Sequence, residues 1–451
     1  MTRLDRTALL ILLAALLLTA AALALAQSRS LPLGVVCSQP DGCEQITLLG
    51  EMLFSFSAAV DAPRAEQAFW MQPPVPARWL WLDERRARWQ AQQPLQGGVT
   101  YRFGFSAAQA GKNGQPLAAA AWQAAARTPL ALYRSADGEL WVADPAQPDS
   151  ARRWTQTDGK AAARQPLAFG GEAVFAVEND AGGADLWRIG RGEDTARLLL
   201  KCAAETCTPL AWSPRGDILL YLRAAPGAAD GEAYLLDISS GQSTALFADG
   251  QRVGYGAAWS PDGGWLAVRD ERQAGIRVLA LNGEAAFFVP SAGGGAGCWA
   301  ESGGRLYLYF DDLARGVSSF RGVIRRLEMP SGAVETVAGD ATDRIGFSYK
   351  SPVCRPFAQG AFVVAAQPDP QVPGAQLWLM DAEGRRQAVI LEGFDLVAGG
   401  LAWRPDGGAL LYHVFALPGG AAQGEVRVWN LNGAGETLRL AGAAAFPVWL
   451  P

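Results

Sequence analysis

The chain has 451 residues, half of them apolar and 18% charged, with 39 basic and 44 acidic side chains and a formal net charge of −5. This is a globular composition, long enough for two or three domains. The 52 Gly and 27 Pro follow no collagen-like period, and without a concentrated basic face no nucleic-acid partner is expected.

Arg3 and Arg6 precede an uncharged apolar run at 8–26. At about 1.5 Å per residue the run nearly spans a hydrocarbon core, as an anchor helix does. Ala24-Leu25-Ala26 before Gln27 equally fits a signal-peptide cleavage site. Both readings put 1–27 at the membrane and the rest of the chain across it. The protein is thus expected on the outer face of the cytoplasmic membrane, or secreted after cleavage near Ala26. If uncleaved, the segment is its membrane contact.

A linker, 28–43, holds Cys37 and Cys43. Six cysteines follow the apolar run. Short separations between Cys37 and Cys43 and between Cys202 and Cys207 suit local disulfides in an oxidising compartment. A zinc site would want CxxC spacing or His partners, and both are absent, so no metal or cofactor is expected.

Residues 44–128 alternate apolar and polar positions between turn signals. Strands are expected at 53–57, 78–82 and 100–105, with a turn at 111–114, which together suggest a small β-sandwich. Phe56-Ser57, Val60-Asp61, Trp89, Pro94-Leu95, Gly98, Thr100-Tyr101, Asn113-Gly114, Leu117, Trp122 and Thr128 fall in order. On those residues the stretch resembles the SbsA-type bacterial Ig-like domain, in which they are structural. Its last strand departs from the pattern, because Ala118–Ala121 and Ala124–Ala126 are weak strand formers. Trp79 and Trp81 offer a sugar-stacking platform in principle, but aromatic strand residues usually fill a sandwich core.

Residues 129–451 repeat. Ala211-Trp212-Ser213-Pro214, Ala258-Trp259-Ser260-Pro261-Asp262-Gly263 and Ala402-Trp403-Arg404-Pro405-Asp406-Gly407 are strong copies. Weaker ones fall at Phe169, Trp299, Cys354 and Trp449, with steps of 40 to 55 residues. Each step fits one four-stranded blade, with Pro and Gly shaping the turn after the first strand. The repeats resemble those of TolB-like or WD-like β-propellers, a resemblance specific for fold and weak for function. The expected architecture is all-β: a seven-bladed propeller preceded by the Ig-like sandwich and an N-terminal apolar helix. Six or eight blades fit the spacing less well. The repeats begin in mid-unit and the last copy has no successor, so 446–450 is expected to pair with 130–134.

The recurring tryptophan is read as inter-blade packing rather than a carbohydrate platform. Cys298 and Cys354 fall on inner strands of adjacent blades, where they could pair. His413 sits in the alternating run 410–414 and reads as a strand residue. One histidine makes a Ser-His-Asp triad remote.

These features point to a non-catalytic binding or scaffold protein whose partner is a protein or another envelope component. No Gly-x-Ser-x-Gly elbow appears. The alternatives are a propeller hydrolase, an accessory subunit of an extracellular peptidase, or a structural protein of surface-layer type. The second-to-third-strand and fourth-to-first-strand connections should share one face, and function favours elaborated loops. Asp311, Asp312, Arg315, Arg344 and Tyr349 are the candidates there.

Overall fold

A computed structural model describes residues 16–19, 32–37, 43–46, 50–162, 165–169, 171–248, 250–281, 286–314, 321–339, 347–367, 376–392, 396–416, 424–431 and 437–451. Of the apolar run, 16–19 are helical; the rest of it lies outside the described residues. Among the described residues no helix is long and apolar enough to cross a membrane. The chain divides into two compact units, Met1–Thr128 and Pro129–Pro451.

The first unit contains two four-stranded sheets. One orders Val35–Cys37, Glu51–Phe56, Arg86–Ala91 and Ala77–Trp81; the other orders Gln45–Ile46, Ala120–Ala126, Thr100–Phe105 and Phe69–Gln72. Alternation along Glu51–Phe56 buries Met52, Phe54 and Phe56 and turns the intervening side chains outward. Phe54 meets Phe105 edge-on at 5.2 Å and Trp122 at 5.7 Å, so the two sheets share one core. Trp79 packs edge-on against Phe69 at 5.1 Å, and Trp81 stacks on Phe56 at 5.8 Å. These two indoles are therefore core neighbours. The alanine-rich strand forms despite its propensity because it is paired on both sides, with Thr100–Phe105 and with Gln45–Ile46. Gly104 permits that approach: a Cβ there would lie 2.1 Å from the carbonyl of Ala120. A short helix, Ala62–Ala68, is capped by Asp61, whose carboxylate accepts the Arg64 N–H at 3.1 Å.

The second unit is a β-propeller. Its first four-stranded sheet joins Leu130–Ser135, Leu140–Asp144 and Gln147–Arg153 to the C-terminal strand Ala444–Leu450. Val448 lies opposite Leu132 and Leu450 opposite Leu130, as the incomplete first and last repeats require. The second and third sheets start at Leu167–Phe169 and Thr206–Trp212, and a parallel bridge from Ala184 to Thr206 joins them. The fourth to seventh start at Ala257–Trp259, Cys298–Ser302, Ser348–Cys354 and Leu396–Trp403. Each of these first strands touches the next, and Leu396–Trp403 touches Ala444–Leu450, so the inner strands form a closed cycle.

The repeated aromatic position serves that cycle. Trp299 donates its indole N–H to the carbonyl of Ala258 at 2.9 Å, Trp403 to Val353 at 3.2 Å and Trp449 to Ala402 at 3.0 Å. In each case the acceptor belongs to the inner strand of the preceding sheet. The guanidiniums of Arg355 and Arg404 lie over Trp403 and Trp449, at 5.7 Å and 5.9 Å. Where Cys354 replaces the aromatic residue, a disulfide to Cys298 joins the fifth and sixth inner strands. Cys37–Cys43 and Cys202–Cys207 are also bonded.

Candidate functional site

One face of the propeller is set by where second strands end and first strands begin. There the connections interlock. Arg252–Gly254, entering the fourth sheet, pairs with the start of Asp230–Asp237, and Tyr255 donates its hydroxyl to the carbonyl of Ala228 at 2.9 Å. The second-to-third and fourth-to-first connections thus emerge together. The opposite face carries tight turns braced by their own side chains. Ser213 donates to Asp217 at 2.7 Å, and Arg404 donates to Asp406 at 2.7 Å.

Asp311 and Asp312 occupy this face but are not loop residues. Sequence reasoning places them in a connection over 310–322. The strand Arg305–Leu313 continues through both, because Gly322–Met329 supplies ladder partners as far as Leu313. Both aspartates are buried, at 7% exposure. The Asp312 carboxylate accepts the Ala292 N–H at 2.9 Å and pairs with Arg325 at 3.2 Å. Asp311 accepts the Ser351 N–H at 3.2 Å, and its carbonyl accepts the Ser291 hydroxyl at 2.7 Å. Burial pushes the Asp311 carboxyl above its ordinary value, against the Ser351 N–H and the charges of Arg269 and Lys350.

Around Asp311 the fourth, fifth and sixth sheets meet. Arg269, itself buried, donates to the carbonyl of Ser291 at 3.0 Å. Gly293 presses onto the carboxylate, where a Cβ would fall 2.2 Å from Oδ1. Ser351 has φ +53 and Lys350 beside it is exposed, and a positive φ at a non-glycine residue is a strained backbone of the kind that clusters at functional sites. Tyr349 is a core residue rather than a loop residue: it is 3% exposed and packs edge-on to Trp378 at 5.9 Å. Arg315 and Arg344 lie outside the described residues. Sequence reasoning missed Arg269, Ser291 and Ser351. The run Ala292-Gly293-Gly294-Gly295 was the one available signal of close approach.

His413 lies on the strand Ala409–Ala416, with its ring parallel to Phe415 and edge-on to Phe446, each at 5.9 Å. Its Nδ1 is buried without a hydrogen-bond partner, and burial lowers its pKa. Among the described residues it has no acidic partner of the sort a catalytic base uses. Among the described residues no three His, Cys, Asp or Glu side chains are grouped to hold a metal ion.

No protein-family profile matches the chain, and no curated protein matches it. Solved structures do. The chain is similar to TolB from Acinetobacter baumannii at 12% identity, over 85% of this chain and 83% of that one, with a TM-score of 0.43. It is similar to an oligogalacturonate lyase in complex with manganese at 17% identity, over 61% and 75%, with a TM-score of 0.40. It is similar to prolyl oligopeptidase B from Galerina marginata at 11% identity, over 69% of this chain and 51% of that one, with a TM-score of 0.45. At these identities the likeness is one of fold alone. It corrects one expectation: enzymes stand among the similar structures, so the reading of the chain as not an enzyme falls.

Proposed function

We propose that the chain is an exported, envelope-associated recognition protein. In this reading the apolar N-terminal run takes it to the membrane, an SbsA-type Ig-like sandwich follows, and a seven-bladed TolB-like propeller presents the binding surface. That surface is the face on which the second-to-third and fourth-to-first connections interlock. The observation that carries the reading is the junction at Asp311. There three sheets, a glycine-rich connection and the exposed Lys350 meet on a rigid, hydrogen-bonded base. Rigid scaffolds commonly present binding residues from such connections. The pairing of all six cysteines supports an oxidising compartment.

The test is site-specific photo-crosslinking in intact cells, with the reactive residue at Lys350 on this face or at Arg215 on the turn face. Adducts to an envelope component from position 350 and none from 215 are expected. Adducts from 215 alone would overturn the reading. So would a folded pool that resists external protease after the outer layers are opened.

A further inference from the structure

We propose that the outer face of one sheet in the first unit binds a glycan chain bearing uronate carboxylates. That face is set by alternation along three adjacent strands. Phe69–Gln72 turns Phe69 and Met71 into the core and leaves Trp70 and Gln72 outward. Thr100–Phe105 buries Phe103 and Phe105 and leaves Arg102 and Gly104 outward. Ala120–Ala126 packs Trp122 and Ala124 inward and leaves Ala121 and Gln123 outward. The register aligns these outward positions in two cross-strand rows. Trp70, Gly104 and Ala121 form one row; Gln72, Arg102 and Gln123 form the other.

Trp70 is half-buried, yet it stands apart from the core that takes in Trp79, Trp81, Trp89 and Trp122. Among the described residues it makes no aromatic contact and no side-chain hydrogen bond. Its neighbours in the row are a glycine and an alanine, so no side chain larger than a methyl rises beside the indole from the next two strands. Gln72, Arg102 and Gln123 are exposed and have no hydrogen bond or ion pair among the described residues. An aromatic surface thus borders three unpaired planar polar groups, with the rows about 7 Å apart. The C–H face of a sugar ring packs on an indole, whose π-face is negative, and amides donate to and accept from neighbouring hydroxyls. Between the two amides, the Arg102 guanidinium offers a fork for a carboxylate. Neither row holds an acidic side chain, so the charge complements an acidic sugar rather than a neutral one. The two rows cover about 7 by 10 Å, far less than the roughly 800 Å² that each partner buries in a stable protein complex. A narrow chain of sugars fits that footprint and a protein partner does not.

This site lies outside the propeller and goes beyond its recognition face; crosslinks from Lys350 do not depend on it. The test is calorimetric titration of the full chain with a hexameric alginate fragment, with cellohexaose and with hexathymidylate, at about 50 mM salt to limit screening. The alginate fragment should bind most tightly. Trp70→Ala should weaken its binding about tenfold, and Trp70→Phe, which keeps an aromatic face, should weaken it less. Arg102→Gln alters an exposed group without a partner, so its melting should be unchanged. It should bind alginate about threefold more weakly and cellohexaose as the parent does. This variant carries the test if Trp70→Ala melts lower than the parent. A control, Arg215→Gln, removes the same charge from a propeller turn and should bind as the parent does. Absence of alginate binding to the parent chain, tighter binding of cellohexaose or hexathymidylate, or equal weakening by Arg102→Gln and Arg215→Gln overturns the proposal.

Discussion

The indole N–H of Trp403 donates to the carbonyl of Val353 at 3.2 Å, joining the seventh inner strand to the sixth. Trp299 and Trp449 repeat the contact at their own junctions. At these three junctions the tryptophan of the repeat is thus a bolt between neighbouring sheets, whereas the buried indole N–H groups of Trp212 and Trp259 find no such acceptor among the described residues. Trp403 is 8% exposed. Trp403→Ala should cost about 3–5 kcal/mol of unfolding free energy, mostly from the cavity. Trp403→Phe should cost less, because it retains much of the packing and loses the hydrogen bond, itself worth about 1 kcal/mol. Urea unfolding of both variants checks the order.

Glu139 is fully buried at the start of the strand Leu140–Asp144. Its carboxylate accepts from Thr155 Oγ1 at 2.6 Å, Arg153 at 2.7 Å, and the backbone N–H groups of Thr157 and Gly159 at 2.7 Å and 2.9 Å. Burial alone would raise its pKa, but these donors outweigh it and hold the group at about 2. The folded value is depressed, so the stabilisation is present above the ordinary value of 4.5 and is lost as pH falls toward 2. The loss should be on the order of 3 kcal/mol. Glu139→Gln should remove most of this acid sensitivity, read from melting curves between those two values.

His413 gives a second pH dependence of separate origin. It is the single histidine of the chain. Burial among Phe415, Phe446 and the backbone near Gly400 disfavours its charged form and places its pKa below 6.5. The unfolded chain therefore takes up a proton near 6.5 that the folded chain refuses, so stability should decline as pH falls below 6.5. Melting of His413→Gln should lack this decline. An identical pH profile in the parent and the variant would contradict the assignment.

The disulfide Cys298–Cys354 spans 56 residues, and Cys202–Cys207 spans 5. On the chain-entropy account, Cys298→Ala/Cys354→Ala should cost about 4 kcal/mol and Cys202→Ala/Cys207→Ala about 2 kcal/mol. Denaturant midpoints of the two double variants, measured without reductant, give the comparison.

Local patterns made most of this architecture legible. The strong repeat blocks marked the first strands ending at Trp212, Trp259 and Trp403, weaker copies marked the others, and the unmatched fragments at 130–134 and 446–450 revealed their own pairing. The helix Ala62–Ala68 was missed although Asp61 and Pro63 are ordinary start signals. The candidate site was read less well. Asp311 and Asp312 follow an apolar run and resemble a strand giving way to a loop. What continues the strand is its pairing with the next strand, Gly322–Met329, as far as Leu313 opposite Gly322, which the residue pattern at 311–313 does not announce.

The central claim is that the C-terminal strand completes the first sheet and holds the ring that presents the recognition face. Deleting residues 444–451 tests it most directly. Removal would strip the partner from Leu130–Ser135 and the bolt Trp449 from Ala402, leaving an open sheet edge. Differential scanning calorimetry with light scattering should show a large loss of melting temperature or aggregation of the truncated chain, and added peptide 444–451 should partly restore the parent transition. A monomeric truncated chain that melts as the parent does would contradict the account.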